Sequence, residues 1–219
     1  MKKKLFVLYP YYWPLYKAGG PVQSLYNLVN TFSDNAQFYF ISRNRDIDNS
    51  LPDKSLSLNE WNVGLLGENI YCVARISMFR LRELFLQVKP DLIMINGIFN
   101  ASTTLPGIIW GKWLGIEIVI SPRGMLQPWA LKRGRLKKRF FLFLLKCLLK
   151  RDERWHATNI QEKEEIVKIF GKRQVVNIAS NIPRRVSAYA PLELESSGAK
   201  IKMVFGYFLT NTCHCASSQ

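Results

Sequence analysis

Short apolar runs alternate with amphipathic stretches along the first 180 residues. The apolar runs predict strands, at residues 5–9, 37–42, 70–73, 90–97, 116–121, 154–158 and 175–178. Apolar residues at helical spacing predict helices, at residues 22–32, 78–88, 101–114 and 160–170. Residues 43–69 are polar and mixed and predict a long connection, with Trp61, Leu65 and Leu66 as its anchors. Strand-then-helix order at this spacing predicts an α/β fold: a parallel sheet with helices on both faces.

The first strand leads into a glycine turn. Gly19 and Gly20 precede Pro21, which suits the first turn of a helix because its missing N–H has no partner there. The backbone N–H groups at such a helix start attract a phosphate or another anion, while a plain tight turn is the alternative interpretation. No Gly-x-Gly-x-x-Gly is present, which disfavours a nicotinamide or flavin cofactor.

Composition indicates a packed globular protein with acidic partners. The 219 residues are 48% hydrophobic, and 31 Lys and Arg against 16 Asp and Glu give a net charge of +15. This balance favours nucleotides, nucleic acid or anionic lipid. The four cysteines do not form a disulfide framework, and Cys213-His214-Cys215 is too compact for a zinc site, so no metal is expected. No run approaches the ~20 apolar residues that span a bilayer, and no secretory signal is recognisable, so a cytoplasmic protein is expected.

Residues 132–151 have the most unusual composition. As a helix, this segment places Arg135, Arg139, Lys146 and Lys150 in one basic stripe, away from a set of apolar residues: Phe140, Phe141, Leu144, Cys147 and Leu148. The pattern predicts a helix in a membrane interface, with Phe140 and Phe141 at the acyl boundary. A core helix with a solvated basic face is the alternative. Nucleic acid is disfavoured because the aromatic residues do not interleave with the cations.

Two motifs resemble those of family-four glycosyltransferases of the GT-B fold. One is the aromatic loop followed by Gly19-Gly20-Pro21. The other is the run Ser121-Pro122-Arg123-Gly124-Met125-Leu126, followed by Pro128-Trp129-Ala130-Leu131, which is similar to enzymes of capsule and lipopolysaccharide assembly. Residues 157–171 also match the family pattern near the end of its first domain.

The resemblance implies a Rossmann-like, acceptor-side domain at residues 1–200. It implies retaining transfer of a sugar from a nucleoside diphosphate donor to a lipid-linked or glycan acceptor, with no other cofactor and no catalytic base. Gly19, Gly20, Asn96 and Arg123 are its expected substrate-binding residues. Many relatives have a histidine where Arg123 stands; a guanidinium can contact a phosphate or sugar hydroxyl in its place, while a surface salt bridge is the alternative role. His156 is expected to be a structural strand residue.

The resemblance ends near residue 206. Residues 201–206 resemble the first strand of the family's second, donor-binding domain, and residues 207–219 do not continue it. We therefore expect a truncated chain that does not transfer sugar alone, that lies at the inner face of the cell membrane, and that self-associates through its open domain face. The alternative function is a non-enzymatic, basic membrane-binding module.

Overall fold

The computed structural model describes residues 2–47, 51–132, 134–149 and 153–183. The strands in these ranges are β1 (Lys3–Leu8), β2 (Ala36–Arg43), β3 (Trp61–Val63), β4 (Asn69–Val73), β5 (Leu92–Asn96), β6 (Glu117–Ser121), β7 (Arg154–Ala157) and β8 (Val175–Ile178). The helices are α1 (Gly20–Phe32), α2 (Met78–Val88), α3 (Ala101–Trp113), α4 (Pro128–Lys132), α5 (Arg135–Leu148) and α6 (Ile160–Phe170). Among the described residues, no helix combines the length and hydropathy needed to cross a bilayer.

The strands form one sheet in the order β3-β4-β2-β1-β5-β6-β7-β8. Every neighbouring pair is parallel except β3 with β4. Leu8 of β1 pairs with Ile95 of β5, and the next residue of β5, Asn96, pairs with Ser121 of β6. The predicted α/β class with a mostly parallel sheet is therefore confirmed, and the carboxyl ends of β1, β5 and β6 lie side by side.

Apolar residues cover both faces of the sheet. Phe6 belongs to a core that includes Phe85 of α2, whereas its neighbour Val7 belongs to a second core that includes Leu25 of α1. Successive residues of a strand point to opposite faces, so β1 is buried on both sides. This is why the parallel strands appear in the sequence as continuous apolar runs.

Two glycines let α3 approach the sheet closely. A Cβ atom on Gly107 would lie 2.4 Å from Cδ1 of Leu8, and one on Gly111 would lie 2.8 Å from Cδ1 of Ile118. The two glycines are four residues apart and therefore share one face of the helix. Their packing positions the loop between β5 and α3 above the carboxyl edge of the sheet.

The connection predicted at residues 43–69 contains a strand that the sequence did not reveal. β3 has three residues and pairs antiparallel with β4 at the edge of the sheet. Trp61 and Leu66 pack against the two cores as predicted, but Leu65 is exposed, so its prediction as an anchor was wrong. The predicted domain boundary at residue 200 and the strand at residues 201–206 lie outside the described residues.

Candidate functional site

The carboxyl ends of β5 and β6 carry the polar residues predicted from the sequence. Asn96 ends β5, and Arg123 follows the end of β6 by two residues. The backbone N–H of Gly97 donates to the carbonyl of Ser121 over 2.7 Å, which joins the two strand ends. In open parallel sheets, this edge is where ligands bind.

Arg123 connects these strand ends to the loop after β8. Its Nε donates to Asn96 Oδ1 over 2.6 Å, and its Nη1 donates to Asn181 Oδ1. Burial lowers the pKa of the guanidinium, while the nearby Glu162 and Tyr9 raise it. Arg123 has a φ of 57°, in the left-handed region that non-glycine residues rarely adopt and that often marks a functional position. Arg123 thus donates to the side-chain amide oxygens of two asparagines and not to a carboxylate, as the alternative role in a surface salt bridge would require.

Asn96 is the buried member of this pair. Its side chain is inaccessible to solvent, and its Oδ1 accepts the bond from Arg123. Its Nδ2 has no hydrogen-bond partner within the described part of the chain. An unpaired buried amide costs about 1–3 kcal/mol, so such a group calls for a ligand or an ordered water as its partner.

Glu162 holds the loop that carries Arg123, a role that sequence reasoning missed. Its Oε1 accepts from the Gly124 N–H over 2.7 Å, and its Oε2 accepts from both the N–H and the hydroxyl of Thr158 over 2.7 Å each. Asn159 Oδ1 accepts from the Glu162 N–H as predicted for a helix cap. The carboxylate, however, does not complete the predicted capping-box pair. It bonds instead to Thr158, the residue before the cap, and to Gly124, 38 residues away. No local pattern indicates the contact with Gly124.

His156 joins three segments beside Arg123. Its Nε2 lies 2.9 Å from the carbonyl oxygen of Ala179, and its Nδ1 lies 2.9 Å from the Ser121 hydroxyl. A carbonyl only accepts, so Nε2 carries the proton, and Nδ1 of the neutral ring accepts from Ser121. Burial lowers the pKa of His156, and the Arg123 charge lowers it further, against the raising effect of the Ala179 bond. This arrangement agrees with a structural role.

The glycine turn at the start of α1 lies one helical turn before Ser24, which bonds to Asn181. Gly19 has a φ of 69°, and no side chain caps the helix. A Cβ atom on Gly19 or Gly20 would meet no atom within 4 Å, so the turn is open. Four residues further on, the Ser24 hydroxyl donates over 3.0 Å to the oxygen of Asn181 that also accepts from Arg123. We call Ser24, Asn96, Arg123 and Asn181 the strand-end cluster.

The predicted membrane-binding residues lie on α5, apart from Lys150, which is outside the described residues. Arg135, Arg139, Lys146 and Phe140 are exposed. Phe141 is half-buried against the core and lies 5.9 Å from the ring of Phe99. Its predicted place at the acyl boundary therefore needs correction, because it belongs to the inner face of the helix. Across the described ranges, no His, Cys, Asp and Glu residues group as a metal site would require.

Two solved structures share this fold. A protein from Listeria monocytogenes assigned as a UDP-N-acetylglucosamine 2-epimerase aligns with a TM-score of 0.53 and 10% identity, over 80% of this chain and 44% of that one. A second UDP-N-acetylglucosamine 2-epimerase aligns with a TM-score of 0.50 and 14% identity, over 83% of this chain and 49% of that one. The chain thus spans about half the length of these structures, and the likeness shows a GT-B-like, Rossmann-type fold. No family model and no curated protein matches the chain.

Proposed function

We propose that this chain is the acceptor-side half of a retaining, nucleotide-sugar-dependent glycosyltransferase of surface polysaccharide or lipopolysaccharide synthesis. The observation that carries the proposal is the Arg123–Asn96 pair at the carboxyl edge of the sheet, with the Asn96 Nδ2 buried and unpaired. The fold supports it, because the two similar structures are named for a UDP-sugar. The two sequence motifs that resemble family-four glycosyltransferases support it independently.

Arg123 has the chemistry to bind a diphosphate or an acceptor phosphate. A guanidinium carries five N–H donors, and the two described bonds use Nε and one donor of Nη1. The remaining donors suit two phosphate oxygens, and charge-assisted bonds of this kind are worth roughly 1.5–3 kcal/mol each. Because Asn96 and Glu162 fix the guanidinium and its loop before a ligand arrives, little ordering is needed on binding.

The start of α1, near the strand-end cluster, suits an anion as well. No side chain caps this helix, so its partial positive charge faces an approaching phosphate. The resemblance implies that a second domain supplies the donor-binding groups. We therefore expect the 219-residue chain by itself to bind such ligands weakly.

The test is equilibrium binding to the 219-residue chain by isothermal titration calorimetry. The ligands are UDP, UDP-N-acetylglucosamine, GDP-mannose and a short-chain polyprenyl diphosphate. We expect at least one phosphate-bearing ligand to bind, and Arg123→Ala to weaken it by about tenfold or more, the loss of roughly 1.4 kcal/mol or more. Arg80→Ala is the matched control, because Arg80 is an exposed arginine on α2 that pairs with Glu83.

A second variant tests the glycine turn. Gly20→Val places its side chain in open space at a residue whose φ is not positive, so the fold should be kept while the approach of a ligand is blocked. Circular dichroism checks folding of both variants. The proposal is refuted if no ligand binds, or if folded Arg123→Ala binds as tightly as the unaltered chain.

A further inference from the structure

The side of α5 that faces away from the core is apolar. Leu142 and Leu145 of this helix are buried, whereas Leu136, Phe140 and Phe143 are 81%, 64% and 61% exposed. Together with exposed Cys147, the exposed residues follow steps of four, three and four and so form one line along the helix. We call Leu136, Phe140, Phe143 and Cys147 the outer stripe. A helix that served only the core would have polar residues here.

Cations flank the outer stripe. Arg135, Arg139 and Lys146 are exposed on one side of it, and Lys137 is exposed on the other. Between Glu117 and Asp152 the sequence has ten Lys and Arg residues and no acidic residue. No carboxylate of the same segment therefore neutralises this surface.

A groove continues the same surface between α4 and α5. It has a volume of about 370 Å³, and its lining includes apolar Leu131 and Leu142 together with four cationic residues: Lys132, Arg135, Lys138 and Arg139. Trp129 of α4 is exposed near it. A lining that combines apolar and cationic residues suits an anionic amphiphile, because the phosphate can pair with the cations and the hydrocarbon can contact the apolar side chains.

We propose that the outer stripe, its flanking cations and the α4–α5 groove dock onto an anionic lipid bilayer. The helix lies parallel to the membrane plane, with Phe140 and Phe143 at the acyl boundary and the cations among the headgroups. The groove receives one headgroup phosphate. This inference goes beyond the proposed function and does not depend on it, since it uses none of the strand-end cluster. It differs from the sequence prediction because the outer stripe contains Leu136 and Phe143 in place of Phe141, Leu144 and Leu148.

The experiment is vesicle flotation with the full 219-residue chain. We expect flotation with vesicles of phosphatidylcholine and phosphatidylglycerol and little with phosphatidylcholine alone. Binding should fall with added salt, because exposed charges are screened over ~10 Å at 0.1 M ionic strength. Equal flotation on both vesicles, or none on either, would overturn the proposal. So would tighter binding to a single-stranded oligonucleotide than to anionic vesicles, which would assign the surface to nucleic acid.

Apolar variants test the outer stripe directly. Phe140→Ser combined with Phe143→Ser should reduce binding to anionic vesicles by more than tenfold. Phe79→Ser is the matched control, because Phe79 is a 73% exposed phenylalanine on α2, outside the outer stripe. This variant should float with anionic vesicles as the unaltered chain does. Equal loss in the control, or no loss in the double variant when circular dichroism shows it folded, contradicts insertion of the stripe.

Charge variants separate a specific surface from the net charge of the protein. Arg139→Glu combined with Lys146→Glu should abolish flotation, since each cation near an anionic surface raises affinity about fivefold. Lys54→Glu combined with Lys163→Glu makes the same change in net charge at exposed positions away from α5. If both pairs lose binding equally, the net charge of the protein binds the vesicles and the docking surface is refuted.

Discussion

Glu162→Gln is expected to loosen the loop that carries Arg123. The carboxylate accepts three hydrogen bonds, from the Gly124 N–H, the Thr158 N–H and the Thr158 hydroxyl. An amide of the same size keeps one oxygen, and its NH₂ group cannot accept. If the amide oxygen at position 162 keeps its bond with the Gly124 N–H, the NH₂ group faces Thr158. The Thr158 hydroxyl can then rotate and accept from this NH₂ group, but the Thr158 N–H is itself a donor and is left without an acceptor.

The magnitude follows from that count. A backbone N–H that is shielded from water and left without an acceptor costs about 1–3 kcal/mol. Thr158 is half-buried and residue 162 is only 2% exposed, so water has little access to the lost acceptor's place. We expect the free energy of unfolding to fall by about 2 kcal/mol. For a domain of this size, that corresponds to a fall in Tm of roughly 4–8 °C. Ligand affinity should fall too, because Arg123 loses its fixed position.

Urea denaturation followed by circular dichroism measures the change. Glu164→Gln is the control, since Glu164 is an exposed glutamate on the same helix and loses the same charge. A decrease below about 0.5 kcal/mol, equal to that of the control, would show that Glu162 does not stabilise the loop.

Two further predictions concern packing and pH. Gly111→Val should lower the free energy of unfolding by about 1–3 kcal/mol, because its Cβ would lie 2.8 Å from Ile118 Cδ1. Urea titration measures this change, and Gly20→Val is the control, because its Cβ meets no atom within 4 Å and its free energy of unfolding should stay within about 0.5 kcal/mol of that of the unaltered chain. Equal stability of the two variants would refute the close contact at Gly111. Burial lowers the folded-state pKa of His156, so the unfolded chain binds the proton more readily and stability is lost as the pH falls below about 6.5. Urea midpoints between about pH 7.5 and pH 5.5 should therefore fall less in His156→Asn, and an unchanged slope would refute this coupling.

The sequence alone determined most of the strands and helices and two members of the strand-end cluster. Parallel strands buried on both faces appear as continuous apolar runs, so β5 and β6 were predictable from local composition. The carboxyl ends of such strands meet at one edge, and residues just beyond them, Asn96 and Arg123, could be predicted as neighbours. β3 was missed because three residues at a sheet edge carry too short a pattern.

Only the tertiary structure decided the contacts between distant segments. Glu162 bonds to Gly124, and Asn181 accepts from Ser24 and Arg123; no periodicity carries information on pairs so far apart. The same holds for α5, whose sequence is apolar on more than one side. Periodicity places residues around a helix but does not say which side meets the core, because that depends on the surface against which the helix packs. In the folded chain Leu142 and Leu145 face inward, and the phenylalanines at 140 and 143 are left exposed.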